Sequence, residues 1–249
     1  MEVRREGDVC VLTLRRPEKL NAISTEVERA LGSAFEDENV LGCRALVLAG
    51  EGRAFSAGAD ISEFQDRDPA AIMDYYRNTG AVYERFARLP IPTFTAIHGY
   101  CLGGALELAL AADFRIADET AVFGLPEVAL GILPSSGGTH RLVRLLGTAR
   151  AKELAMLRDR LDAQEALRIG LVTEVVRHGD ALARAVELAG RLAELPALAV
   201  SLTKEAIDAM GESSREAALL VERIAYAALA QTDEAQAGLD GFIQRERGK

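Results

Sequence analysis

Two glutamates stand out because their neighbours are apolar. Glu107 lies in Gly103-Gly104-Ala105-Leu106-Glu107-Leu108-Ala109-Leu110, where every other residue is Gly, Ala or Leu. Glu127 lies in Phe123-Gly-Leu-Pro-Glu127-Val-Ala-Leu130. A carboxylate in such company is desolvated, paired or at work on a ligand. Two carboxyl groups flanking one small site can exchange protons with a substrate if their surroundings keep one protonated and one ionised. The Gly103–Gly104 turn lets a ligand approach the backbone closely, and amides at a helix start attract negative charge. One segment thus offers an oxyanion site beside a general base. Structural readings stand next to these: a buried salt bridge from Glu107 to an arginine, and Glu127 as the acidic residue that follows a helix-opening proline.

The elements around these residues are legible from pattern. Val9–Leu14, Arg44–Leu48, Thr93–Ile97, Phe114–Ala117, Ala121–Phe123 and Glu174–Val176 read as strands. Between them, Thr25 to about Glu38 reads as a helix opened by a Thr25/Glu28 capping box, and Ala70–Leu89 as a helix stopped by Pro90 and Pro92. After about residue 136 the pattern turns helical: 138–146, 149–157, 162–169 (capped by Asp162 with Glu165), 180–194, 197–210, 214–230 (opened by Ser213/Glu216) and 232–245. The expectation is an α/β core over residues 1–195 and a helical region over 196–249 that packs on a neighbour. A third glycine-containing loop, Phe55-Ser-Ala-Gly-Ala-Asp60-Ile-Ser62, follows the Arg44–Leu48 strand, and strand C-terminal ends collect ligands in α/β folds. Asp60 itself reads as a cap or an arginine partner, His98 and His140 as packing residues, and Asp113 and Arg141 as members of structural pairs.

Bulk properties restrict the function classes. The chain has 249 residues, 49% hydrophobic and 27% charged, enough for a substantial core. Its net charge of −9, with four Lys and 25 Arg scattered along the chain, argues against a nucleic-acid surface. Cys10, Cys43 and Cys101 have no metal-like spacing and read as reduced, buried thiols of a cytoplasmic protein. His98, His140 and His178 are too dispersed for a metal site. No apolar run approaches the roughly 18 residues of a membrane span.

Taken together, five segments resemble the enoyl-CoA hydratase/isomerase (crotonase) family over nearly the whole chain. They are Arg16-Pro-Glu-Lys-Leu-Asn-Ala22, Ala57-Gly-Ala-Asp60, Gly103-Gly-Ala-Leu-Glu107, Phe123-Gly-Leu-Pro-Glu127 and Gly131-Ile-Leu-Pro-Ser-Ser-Gly-Gly-Thr139. The resemblance implies a spiral of ββα turns, with trimers or hexamers assembled through the C-terminal helices. It assigns the backbone N–H groups of Ala59 and Gly104 to the thioester oxygen of an acyl-CoA, and Glu107 and Glu127 to the two catalytic carboxyls. Lys19, Leu20, Ala22, Ala57, Asp60, Ile61 and Ser62 fall where the family lines its CoA and acyl groove. Hydration of a 2-enoyl-CoA is the implied reaction, with Δ3–Δ2 isomerisation on the same scaffold, or acyl-CoA binding without turnover, as alternatives. CoA arrives with the substrate, so the reaction asks for neither metal nor further cofactor. Ser135 and Ser136 stand where the family often has Gly-Ala or Gly-Gly, which bears on substrate choice. Arg245, Arg247 and Lys249 form a short basic end that can meet a CoA phosphate.

Overall fold

A computed structural model describes the whole chain apart from residues 65–67, 158–159, 212 and 248–249 and the side chains of Phe64, Glu246 and Arg247. The first part alternates strands and helices. In order these are β1 (Glu2–Glu6), β2 (Val9–Leu14), α1 (Thr25–Glu36), α2 (Glu38–Leu41), β3 (Ala45–Gly50), α3 (Pro69–Arg77), α4 (Val82–Ala87), β4 (Thr93–Ile97), β5 (Tyr100–Leu102) and α5 (Gly104–Ala111). There follow β6 (Phe114–Asp118), β7 (Val122–Gly124), α6 (Gly138–Met156), β8 (Leu161–Asp162), α7 (Ala163–Arg168), β9 (Glu174–Val176) and α8 (Ala181–Ala193). The last helices are α9 (Ala197–Met210), α10 (Arg215–Leu229) and α11 (Asp233–Arg247). Two compact units result, Met1–Leu192 and Ala193–Lys249. The second is helical, with α9 packed on α10.

The main sheet has the order β1-β2-β3-β4-β6-β9; β1 pairs antiparallel with β2 and the other strands run parallel. A smaller sheet, β5-β7-β8, stands apart from it. Parallel strands are covered on both faces, so β2 and β3 are apolar almost throughout. Their side chains nevertheless alternate between two cores. Leu12, Leu46, Leu48 and Ile97 join the large core with α1, α4 and α5. Val11, Ala45, Val47 and Phe94 join the second, against Ala181, Ala185 and Ala189 of α8. Those alanines recur every four residues, so the helix lies close on the sheet. Helix α5 is buried at all eight positions, as its uniformly apolar sequence requires.

Several local expectations are corrected. The helix expected over 70–89 is two helices, α3 and α4, broken at Asn78, whose backbone (φ −108°, ψ −87°) is not helical. Its side chain bonds the Asp74 carbonyl at 3.1 Å and the Asp74 carboxylate at 2.9 Å, local competition that favours a break. Ser24, not Thr25, caps α1, accepting from the Val27 N–H, while the Thr25 hydroxyl and Glu28 are taken by other elements. Ser214, not Ser213, caps α10 for the same kind of reason: the Ser213 hydroxyl donates back to the Ala209 carbonyl. The helices expected at 138–146 and 149–157 are the two arms of α6, joined at Gly147 with φ +75°. Within the expected Gly99–Gly104 loop, residues 100–102 form β5.

Candidate active site

Glu107 sits on α5, one turn in from the N-cap Gly103, and is 4% exposed. Its partner is the start of α6 rather than an arginine. Oε1 accepts from the Ser136 N–H at 2.7 Å and the Gly138 N–H at 2.9 Å, two donors at a helix N-terminus. The buried-salt-bridge reading therefore does not hold; Arg141, which bonds Glu84 and the Ser136 carbonyl, acts on Glu107 only through space. Gly137, with φ +93°, brings the chain round, and Gly138 must lack a side chain. A Cβ there would lie 2.7 Å from Glu107 Oε1. Burial pushes the Glu107 carboxyl up to about 7, against the two hydrogen bonds, and the nearby Glu127 adds to the rise.

Glu127 is carried by the short 3-10 turn Pro126–Leu130 and is 8% exposed. Its Oε2 is buried and has no hydrogen-bond partner among the described residues. Burial raises its pKa also. Its Oε1 lies 2.9 Å from where a Cβ on Gly103 would stand. Gly103 caps α5, its carbonyl accepting from the Glu107 N–H at 3.0 Å. Glu127 thus lies by the start of α5, near enough for its charge to act on Glu107. Gly103, with φ +53°, is the glycine that this approach demands.

The Ala57–Asp60 loop brings its backbone to the same place. Gly58, φ +103°, is pinned so that a Cβ would strike the Leu102 carbonyl oxygen at 2.5 Å. A Cβ on Gly104 would lie 3.3 Å from the Ala59 nitrogen, so the two amides assigned to an oxyanion are neighbours. Neither N–H reaches a protein acceptor among the described residues. A pair of adjacent, unspent donors beside two desolvated carboxyls can hold an anionic oxygen while protons move nearby.

The other expected residues divide. Leu20 and Ala22 are tied to the same loop: the Ala57 N–H donates to the Leu20 carbonyl at 2.9 Å, and Arg16 bonds the Ala22 carbonyl at 2.9 Å. Asp60 accepts from the Ser62 hydroxyl at 2.7 Å and faces Arg16 at 3.4 Å, which together hold its carboxyl below the usual range. Ile61 and Ser62 begin an exposed 3-10 turn, and Lys19 ends another at Pro17–Lys19. His98 bonds the Gly52 carbonyl at 2.9 Å, in keeping with a packing role. The three cysteines are buried and unbridged. At the basic end, Arg245 bonds the Gly241 carbonyl at 3.2 Å, whereas Lys249 and the Arg247 side chain lie outside the described residues. Among the described residues no group of three or more His, Cys, Asp or Glu is disposed to hold a metal, and no helix is long and apolar enough to cross a membrane.

Residue types alone did not point to the tyrosines and Glu28. Buried Glu28 of α1 accepts from the Tyr75 hydroxyl, and the Tyr83 hydroxyl lies 3.3 Å from the position of a Gly104 Cβ. Tyr76 reaches Ser135. One signal was available: three of the five tyrosines fall within residues 75–83.

Comparison with known proteins gives the family. The family model described as enoyl-CoA hydratase/isomerase matches residues 4–249. A short-chain-enoyl-CoA hydratase of Clostridium acetobutylicum is 36% identical, covering 98% of this chain and 95% of its own. A 2,3-dehydroadipyl-CoA hydratase of Escherichia coli is 35% identical, with 98% and 95% covered. The crystal structure of an enoyl-CoA hydratase from Bacillus anthracis superposes with a TM-score of 0.89 at 35% identity, over 98% of this chain and 96% of that one. With a family match spanning all but the first three residues and relatives 35–36% identical over nearly the whole of both chains, this chain belongs to the enoyl-CoA hydratase/isomerase (crotonase) family.

Proposed function

We propose that this protein is a 2-enoyl-CoA hydratase, adding water across the C2=C3 bond of a thioester to give a 3-hydroxyacyl-CoA. One observation carries the reading: two buried carboxyls, Glu107 and Glu127, lie at the start of α5 near the neighbouring backbone amides of Ala59 and Gly104. Attack of water at C3 pushes electrons onto the thioester oxygen. Each amide aimed at that oxygen contributes about 3–4 kcal/mol to the transition state. Glu107, with Oε1 occupied by two N–H donors, takes the proton of the water through its other oxygen. Glu127, whose carboxyl burial shifts toward its protonated form, delivers a proton to C2. CoA belongs to the substrate, and the reaction asks for no other cofactor. Lys19, Leu20, Ala22, Ala57, Asp60, Ile61 and Ser62 line the CoA and acyl groove in this reading. The helical region assembles homotrimers or a hexamer of two trimers, and the buried thiols fit a cytoplasmic location.

The test is loss of enoyl-thioester absorbance when purified protein meets crotonyl-CoA. Turnover abolished by Glu107→Gln and by Glu127→Gln supports the assignment. Consumption of a 3-enoyl-CoA alone makes the protein an isomerase, and tight acyl-CoA binding without turnover makes it a binding protein.

A further inference from the structure

Asn21 belongs to one of the segments that carry the family resemblance, yet the proposed chemistry gives it no task. It is 1% exposed, and its backbone sits in the left-handed region at φ +54°, where asparagine is among the few residues other than glycine at ease. Its side-chain oxygen accepts from the Arg16 N–H at 2.8 Å, and its side-chain amide donates to the Glu51 and Ala54 carbonyls, both at 2.8 Å. Its own carbonyl accepts from the Ser56 hydroxyl at 2.7 Å. That hydroxyl is buried and accepts in turn from the Gly58 N–H at 3.2 Å. A run of buried hydrogen bonds thus joins Asn21 to the loop that carries Ala59.

Ile23, on the same segment as Asn21, forms a parallel bridge with Ala59 itself. The Ile23 N–H donates to the Gly58 carbonyl and the Asp60 N–H to the Ile23 carbonyl, both at 2.8 Å. In a planar trans peptide the C=O and the following N–H point opposite ways, so the Gly58 carbonyl, aimed at Ile23, turns the Ala59 N–H away from it. The nitrogen so turned stands 3.3 Å from the position of a Gly104 Cβ. Accepting the hydratase reading, in which this N–H meets the thioester oxygen, we propose that Asn21 is a positioning residue of the oxyanion site. Through the Ser56 hydroxyl and the Ile23 bridge it fixes the direction of the Ala59 N–H, and hence the polarisation of the bound carbonyl. An oxyanion donor is effective only if it is aimed before the charge develops. Without the Ser56 hydroxyl, the Asn21 carbonyl and the Gly58 N–H lose a buried partner and the loop shifts to find another. A displacement of about 1 Å costs about 100-fold in rate.

The experiment joins two readouts on wild type, Ser56→Ala and Asn21→Asp, each checked for native circular dichroism. One is steady-state kinetics on crotonyl-CoA. The other is the infrared carbonyl stretch of bound butyryl-CoA, isotope-labelled at the thioester carbon. Butyryl-CoA lacks the C2=C3 bond, so it reads the oxyanion site without turnover. Hydrogen bonding lowers the stretch, which in wild type should lie below its value in free butyryl-CoA. Ser56→Ala should lower kcat about 10- to 100-fold with KM little changed, and move the stretch part of the way back to the free value. Asn21→Asp sets a carboxylate against the Glu51 and Ala54 carbonyls and should do at least as much. Ser56→Ala deletes a single oxygen and decides the test if Asn21→Asp does not fold. Folded variants whose stretch or kcat matches wild type, with or without lost stability to urea, overturn the proposal and leave hydration intact. An unshifted stretch in wild type overturns it too. No turnover by wild type, with a lowered stretch that the variants raise, overturns hydration and upholds the positioning by Asn21.

Discussion

Replacing Glu107 by Gln should make the protein more stable at pH 8 while abolishing its activity. Burial raises the Glu107 carboxyl from an ordinary 4.5 to about 7. The unfolded chain releases that proton near its ordinary value, so between these two values the folded state binds more protons. Folding stability must then fall as pH rises through that window. At about 1.4 kcal/mol for each tenfold, the full penalty is about 3 kcal/mol, of which about 2–3 kcal/mol develops between pH 5 and pH 8. Gln has nearly the same shape, and its Oε1 can still accept from Ser136 and Gly138. It carries no charge, so the penalty disappears. For a chain of this size, the melting-temperature difference between variant and wild type should grow by roughly 4–12 °C from pH 5 to pH 8. Thermal unfolding of both proteins at both pH values, at one fixed concentration to hold any assembly constant, measures it. Turnover of crotonyl-CoA should fall by about 10²–10⁴. A difference in melting temperature that stays the same at pH 5 and pH 8 would refute the claim that burial raises the Glu107 carboxyl to about 7.

Three further outcomes follow from the same geometry. The pH profile of kcat/KM should have an ascending limb centred near 7, the value to which burial pushes Glu107; a limb at 4–5, as for an exposed carboxyl, contradicts its role as base. Gly138→Ala should lower kcat at least about tenfold, because its Cβ would lie 2.7 Å from Glu107 Oε1 and must push the carboxylate off its donors; steady-state kinetics on a variant with unchanged circular dichroism checks this. Arg115→Met should destabilise the core by about 3 kcal/mol or more. The buried guanidinium donates to Leu171 O at 2.8 Å and Ala112 O at 2.7 Å, tying the end of α5 to the turn after α7, and urea unfolding reads the loss.

Much of the site was legible because its chemistry is written in local exceptions. A glutamate inside Gly103–Ala111 has no apolar reason to be there, and Pro126-Glu127 with its apolar neighbours repeats the exception. Strand alternation and helix periodicity likewise marked the α/β core and the helical end, since each reflects burial of one face. Capping was less legible, because Ser24/Thr25 and Ser213/Ser214 are adjacent candidates with one hydroxyl each. Which one caps was settled by the neighbour's partner: Glu63 takes the Thr25 hydroxyl and Ala209 O takes that of Ser213.

What the order of residues determined by itself is the inventory: two buried carboxyls, two glycine-framed amides, and strands and helices to carry them. What required the folded chain is the pairing. Glu107 is answered by backbone N–H groups 29 and 31 residues ahead, and an N–H leaves no trace in residue type. Tyr76, near the end of α3, meets Ser135 fifty-nine residues on, a pairing that neither residue type announces. Glu127 touches Gly103 because a turn after β7 is laid on the start of α5. Local preference acts over a few residues, whereas desolvation and hydrogen bonding at this site depend on groups brought together from five separate segments. Those contacts, rather than the residue types, raise the carboxyl pKa values.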